Sequence, residues 1–442
     1  MLVTCSEVAK NWGISERRVR QLARDGRIQD SIFVNRRWFF KENTKKPNIV
    51  EYKNSLESRR YPRFAFTNGQ YGDLGGMYLP QSFMKFFEPI LPAFEDMIKT
   101  SAFERQMREN LVNTPLYVPE NFNKTLGDVK LIIKREDLNT AGTLYFNQAY
   151  PFAKLLKRLK KEKVLLAAGN ASFAEAYAEA CTRLKVPYKI FIAYKDYKKQ
   201  KAAFDALLKK YSPEFLYICE RDASLFDAVN YAFRQYLYDD VKDLYVQTDA
   251  IGPHPIPQIV EYCQSAVGHS AQIQLKRMGI NKLNAIVAPA NVGSNALGIF
   301  AGAKSSTSLM LVESSDSNSV MKRGHISGVD GMISLTLTSP GYCECEEKPL
   351  CAAMSFPALT PKLAYGLQTG KYHGVSVTDK EALLACKEFF ELEGIFPALE
   401  DGYSLAYIKK RAKKMKTGNI LMCFTARGDK DKDFVLQTLK EY

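Results

Sequence analysis

The sequence predicts an α/β protein of parallel sheets covered by helices, preceded by a small basic module of two helices and a hairpin. Two observations carry this reading. From Tyr61 onward, short apolar runs alternate with amphipathic stretches, the order that lays helices over parallel strands. Ahead of them, residues 1–60 hold fourteen Lys/Arg against seven Asp/Glu, so this short segment carries half of the net charge of +14. The chain divides accordingly into the module at 1–43, a linker at 44–62 and a large domain at 63–442.

In the module, Val8, Ala9 and Trp12 share one face of a first helix, Gly13-Ile14 forms a turn, and Ser15 suits a helix N-cap. Val19, Leu22 and Ala23 then give the buried stripe of a second helix. Gly26 stands where a helix closes in a left-handed residue. Ile32–Phe40 reads as two strands around a polar turn. This arrangement resembles the winged helix-turn-helix of the MerR and excisionase families. The resemblance implies DNA as a partner, met by Arg17, Arg18, Gln21 and Arg24 on the second helix and by Arg36 and Arg37 on the wing. The stretch after Lys41 is polar and charged, as a linker should be.

In the large domain the strand-like runs are Leu131–Ile133, Val164–Ala167, Lys189–Ile192, Phe215–Ile218, Ala285–Ala288, Met310–Val312 and Ile420–Phe424. Ala171–Leu184 and Lys201–Lys210 are amphipathic helical stretches between them. No apolar run is long enough for a bilayer, and no basic segment followed by an apolar one opens the chain, so a cytoplasmic protein without membrane contact is expected. Nine cysteines in such a chain read as reduced thiols. Cys343, Cys345 and Cys351 lack a C-x-x-C pair and a following histidine, so no metal is assigned to them.

Several motifs in order identify a wider resemblance. Tyr71–Pro80 (YGDLGGMYLP), Thr114–Tyr117 (TPLY), Lys134–Asn139 (KREDLN), Gly252–Pro257 (GPHPIP), Glu393–Glu400 (EGIFPALE) and Ala426–Asp431 (ARGDKD) resemble segments of the tryptophan synthase β subunit family. The resemblance implies the fold-type II architecture of enzymes that use pyridoxal 5′-phosphate (PLP), two α/β subdomains around a cleft. It places Tyr145 where the family has the lysine that holds PLP, and a phenol forms no imine with an aldehyde. It places Ala167 at the family's proton-shuttling glutamate, and an alanine methyl exchanges no proton. The glycine-rich phosphate loop corresponds to Asn291–Asn295, where Val292 is a β-branched residue unsuited to a positive φ. Gly293, Ser294 and Asn295 are kept there. Gly169, Asn170 and Ser172 lie on the loop that holds the amino-acid carboxylate, while Thr425 stands at the pyridine nitrogen and Glu400 beside the ring.

Loss of the lysine and the glutamate leads to a first expectation. It is a DNA-binding regulator carrying a non-catalytic domain, a pseudoenzyme with no cofactor. That domain would serve as homodimerisation platform and as sensor of an amino acid, an indole-like compound or another small anion, in a cleft formed by Gly169, Asn170, Ser172, Gly293, Ser294, Asn295, Glu400 and Thr425. The alternative is an active PLP-dependent lyase or synthase using a relocated lysine, of which Lys154 is the nearest downstream. A third reading is a regulatory partner of an active synthase subunit.

Overall fold

The computed structural model describes residues 2–24, 28, 31–34, 37–44, 61, 65–72, 74–77, 81–219, 223, 225–238, 244–247, 249–250, 252–290, 292–316, 350–354 and 359–441. The chain forms two compact units, Met1–Ser58 and Arg59–Tyr442.

In the smaller unit, helices Cys5–Trp12 and Glu16–Arg24 are joined through Gly13, whose φ of 64° lets the chain reverse. Thr4 and Glu7 close a reciprocal capping box at the start of the first helix. Strands Ile32–Val34 and Arg37–Lys41 form the hairpin, and Leu2–Thr4 adds a third antiparallel strand on the far side of Arg37–Lys41. Val8, Ala9, Val19, Leu22, Ala23, Ile28 and Phe40 are buried together, with Trp12 and Trp38 packed against them. Arg17 is exposed. For Arg18, Gln21, Arg24 and Arg37 the backbone alone is described, and Gly26, Arg36 and nearly all of the linker lie outside the described residues.

Among the described residues the larger unit holds two large sheets and a short antiparallel pair, Gln70–Tyr71 with Leu74–Gly75. Strands Glu214–Ile218, Tyr188–Ala193, Lys163–Ala167 and Leu244–Gln247 lie side by side in that order, all parallel. The second sheet runs His373–Val377, Ser308–Ser314, Ala285–Pro289, Gly418–Phe424, Val129–Arg135 and Leu116–Tyr117. Only the last pairing is antiparallel. The central strands are buried on both faces, which is why they read as unbroken apolar runs. Tyr61 stacks on Tyr262 with ring centroids 5.1 Å apart and so belongs to this unit's core. Among the described residues, no helix is long and apolar enough to cross a membrane.

Both sheets aim their loops at one cleft. Val129–Arg135 delivers the chain to Tyr145 at the foot of helix Phe146–Arg158. Lys163–Ala167 delivers it to Asn170 at the N-cap of helix Ala171–Leu184. Ala285–Pro289 leads to Gly293 and the short helix Ser294–Ile299, and Gly418–Phe424 leads to Thr425.

Candidate active site

A chain of buried polar side chains underlies the cleft. Glu136 accepts from Asn139 Nδ2 at 2.8 Å and Asn147 Nδ2 at 3.0 Å. Asn147 donates on to Gln264, which donates to Gln148, and Gln148 Nε2 donates to Asp249 Oδ1 at 2.6 Å. Ser294 Oγ donates to the other oxygen of Asp249 at 3.1 Å. Each member is buried and bonded, so the network fixes where Tyr145 and Ser294 stand. Asp249 has φ 63°, a left-handed backbone that aspartate tolerates better than most side chains. Burial pushes its carboxyl up to about 7, against the hydrogen bonds from Gln148 and Ser294.

Tyr145 is 2% exposed, with its ring edge-on to Phe173 at 5.3 Å. Burial, then the nearby carboxylates of Asp249 and Glu400, push its phenol well above the ordinary range, while Asn170 bonds to it. Charges from both ends of the site, Asp249 and Glu400, thus act on this one phenol. Ala167 ends its strand fully buried. Gly169 lies against Leu225, whose Cδ2 would be 2.9 Å from an added Cβ. Asn170 Oδ1 accepts from the Phe173 amide at 2.9 Å, capping the helix that carries Ser172.

At one end of the cleft the positive φ of the loop falls on Gly293, at 124°, and Val292 has no positive φ and is buried. The Asn295 amide is 2% exposed, and neither its nitrogen nor its oxygen has a hydrogen-bond partner. Thr360 Oγ1, which faces Gly293, is also buried without one. Such orphaned groups are costly unless a ligand meets them. Asn291 lies outside the described residues.

At the other end, Thr425 Oγ1 donates to Glu400 Oε1 at 3.0 Å, and its amide donates to Asp401 Oδ2 at 2.9 Å. Burial and Glu400 push the Asp401 carboxyl well up. Lys430 Nζ donates to Glu400 Oε2 at 3.0 Å and to Asp431. Burial opposes this ammonium, but Asp431 and Glu400 outweigh it and raise the lysine well above its usual range. A pocket of 240 Å³ opens beside it, lined by Gly142, Ala171, Ser172, Arg427, Asp429 and Lys430.

Residues 107–426 match the model of the family described as "Pyridoxal-phosphate dependent enzyme". The chain belongs to that family. It is 29% identical over 387 residues to the tryptophan synthase beta chain of Bacillus subtilis (strain 168), covering 84% of this chain and 96% of the relative. Its fold is similar to a processed threonine deaminase isoform 2 from Solanum lycopersicum, at TM-score 0.58 and 15% identity over 86% of this chain and 94% of that one. It is similar as well to an L-serine ammonia-lyase from Rhizomucor miehei, at TM-score 0.58 and 15% identity over 75% of this chain and 99% of the other. The architecture is the α/β fold with a mixed, mainly parallel sheet of fold-type II PLP enzymes.

These matches overturn the first expectation drawn from the sequence. The family is one of PLP-dependent enzymes and the relatives are enzymes, so a DNA-binding transcription regulator with a cofactor-free pseudoenzyme domain is not what they support. The enzyme alternative gains instead, and the family points to PLP as the cofactor where none was expected. Tyr145 and Ala167, on which that expectation rested, are two side chains in a domain that matches the family along residues 107–426. The residues fit PLP at both ends. Ser294, Asn295 and Thr360 offer a phosphate buried polar atoms, two of these side chains having no other partner. Thr425 with Glu400 offers the ring nitrogen a hydroxyl already oriented. Asp249, Asp401, Thr360 and Lys430 were not singled out from the sequence, although Lys430 lies within the ARGDKD motif.

Proposed function

We propose that this protein is a PLP-dependent lyase or synthase acting on a small hydroxy amino acid such as serine or threonine, with indole as a candidate second substrate. The observation that carries the reading is the buried Asn295 amide, which has no hydrogen-bond partner, next to Ser294 and near the equally unpartnered Thr360 hydroxyl across Gly293. The substrate class is suggested by the relatives, which include a tryptophan synthase chain, a threonine deaminase and a serine ammonia-lyase. When bound, PLP supplies an electron sink for bonds at the amino acid's α-carbon.

The protein's own residues then have distinct tasks. Ser294, Asn295 and Thr360 hold the phosphate. Thr425, fixed by Glu400 and Asp401, meets the ring nitrogen. Asn170 positions the N-terminal turn of its helix, where Ser172 faces the pocket that receives the amino acid. Tyr145, in the place of the family's lysine, bars water from the centre of the cleft and keeps its proton, because burial and two carboxylates disfavour the phenolate. With Ala167 in the place of the family's glutamate, the amine and the base of the reaction come from other side chains.

The smaller unit is proposed to be a winged helix-turn-helix. Two helices meeting at a left-handed Gly13 and a three-stranded antiparallel sheet support that reading.

The test is to add PLP to purified protein, dialyse, and record the absorbance of the retained fraction. Serine, threonine and serine with indole are then assayed for a 2-oxo acid or tryptophan. Retention with turnover of one of them is the expected result. Protein that retains no PLP and turns over none of the three would end the proposal.

A further inference from the structure

Around Thr425 the charges of the described side chains can be counted. Glu400, Asp401, Thr425, Lys430 and Asp431 are all buried. Lys430 Nζ lies between Glu400 Oε2 and Asp431 Oδ2, so two carboxylates share one ammonium. Asp431 also accepts from Gln200 Nε2 at 2.6 Å and from the Leu399 amide at 2.9 Å. Asp401 is the exception, because burial and then Glu400 push its carboxyl well up and it keeps its proton. Asp137, which also acts on Asp401, is ion-paired with Arg135. Tyr145, Cys351, Cys386 and Cys423 lie within range of these charges, and burial holds each of them in its neutral form. Two carboxylates against one ammonium leave the cluster one negative charge in excess. A buried charge without a counter-charge is strongly destabilising.

The Thr425 hydroxyl leads to the same requirement by a separate route. Its single proton has two carboxyl oxygens within reach, Glu400 Oε1 at 3.0 Å and Asp401 Oδ2 at 3.2 Å. A carboxylate that already faces an ammonium is a stronger acceptor than a neutral pyridine, so the proton goes to Glu400. Thr425 Oγ1 then offers an arriving ring only lone pairs. A neutral pyridine nitrogen is an acceptor as well, and two acceptors would face each other. A protonated ring nitrogen donates to Oγ1 and brings the positive charge that the cluster lacks.

We propose that this end of the cleft binds the PLP ring as a pyridinium, with Thr425 Oγ1 accepting from the ring N–H. Glu400 is the positioning residue, since it turns the hydroxyl and supplies the balancing charge. The inference rests on the PLP reading above. A ring that enters without its proton takes one from water on binding, and no other atom changes hands. Held as a cation, the ring draws electrons from bonds at the amino acid's α-carbon more strongly than a neutral one.

The experiment is to load the full-length protein with PLP carrying heavy nitrogen in its ring, dialyse, and follow the ring nitrogen by NMR as pH is varied. Glu400→Gln is treated alongside, with far-UV circular dichroism as a folding control. The expected result is a bound ring nitrogen that holds its proton at least about tenfold more tightly than free PLP does, the worth of one charge-assisted hydrogen bond. Folded Glu400→Gln should lose most of that gain. A bound nitrogen that is neutral throughout, or that titrates as in free PLP, overturns the pyridinium and leaves the PLP reading standing. A titration unchanged in folded Glu400→Gln overturns the part given to Glu400. Protein that retains no PLP at all overturns both readings. Should Glu400→Gln fail to fold, the titration of the unsubstituted protein decides by itself.

Discussion

Asp249 is the side chain whose chemistry has the clearest consequence for the folded protein. Its carboxyl rises from the ordinary 3.8 to about 7, through burial first and against its hydrogen bonds. A carboxyl raised in the folded state holds a proton that the unfolded chain has already released. Its contribution is therefore fully present below the unfolded value and is lost as pH climbs through the folded one, by about 4 kcal/mol in all. Asp249→Asn keeps the shape and removes the titration. Thermal unfolding of the two proteins across about pH 4 to pH 8 should show the unsubstituted protein losing ground to Asp249→Asn as pH rises, and parallel curves would refute this account. The same side chain shows where sequence reading stops. Ser294 and Asn295 are legible because a local motif carries them. Asp249 meets Ser294 across a separation of 45 residues, and nothing beside it in the sequence announces that contact. Asn295 was legible as a position, but its unmet hydrogen bonds appear only once the surrounding atoms are placed.

At the scale of elements, the phosphate end of the cleft depends on one close approach. Helix Ile256–Arg277 lies against the short helix Ser294–Ile299 through Gly268, where an added Cβ would stand 2.3 Å from the Ala301 carbonyl oxygen and 2.5 Å from that of Gly298. Those are backbone atoms with no rotamer to yield, so the helices must move apart. Gly268→Ala should cost about 1–3 kcal/mol or more in overpacking, read by urea denaturation, and should weaken PLP retention in the same dialysis because Ser294 and Asn295 open the displaced helix. Retention unchanged at lowered stability would show that the loop holds its place independently of this contact. Six of the seven strands read from the sequence lie inside their sheets and were legible because burial on both faces leaves an unbroken apolar signature, while the seventh, Glu214–Ile218, is a half-exposed edge strand whose run is apolar all the same. The edge strands His373–Val377 and Leu116–Tyr117 were not, since the first alternates polar residues toward solvent and the second has only two residues. Leu2–Thr4 escaped for a similar reason, being three residues at a sheet edge with a partner 35 or more positions away in the chain.

Over the whole molecule, the two units differ enough in core size to unfold apart. The smaller one buries eight apolar residues among those described, from Cys5 to Phe40, whereas two large clusters fill the other unit. A segment of about sixty residues buries a small share of its surface and is marginal by itself. The chain has two tryptophans, Trp12 and Trp38, and both pack on the small core. Tryptophan fluorescence therefore follows the smaller unit, while far-UV circular dichroism is dominated by the helices of the larger. Urea titrations read by the two signals should not coincide, with fluorescence changing at the lower concentration. Gly13→Ala sharpens the test. Gly13 has φ 64° with open space around it, so an added methyl meets no atom and costs only the left-handed backbone, about 1–2 kcal/mol. That substitution should move the fluorescence transition and leave the dichroism transition where it was, and Gly268→Ala should do the reverse. If either substitution shifted both signals equally, the chain would be unfolding as one cooperative body, and the smaller unit would be drawing its stability from contacts beyond its own core.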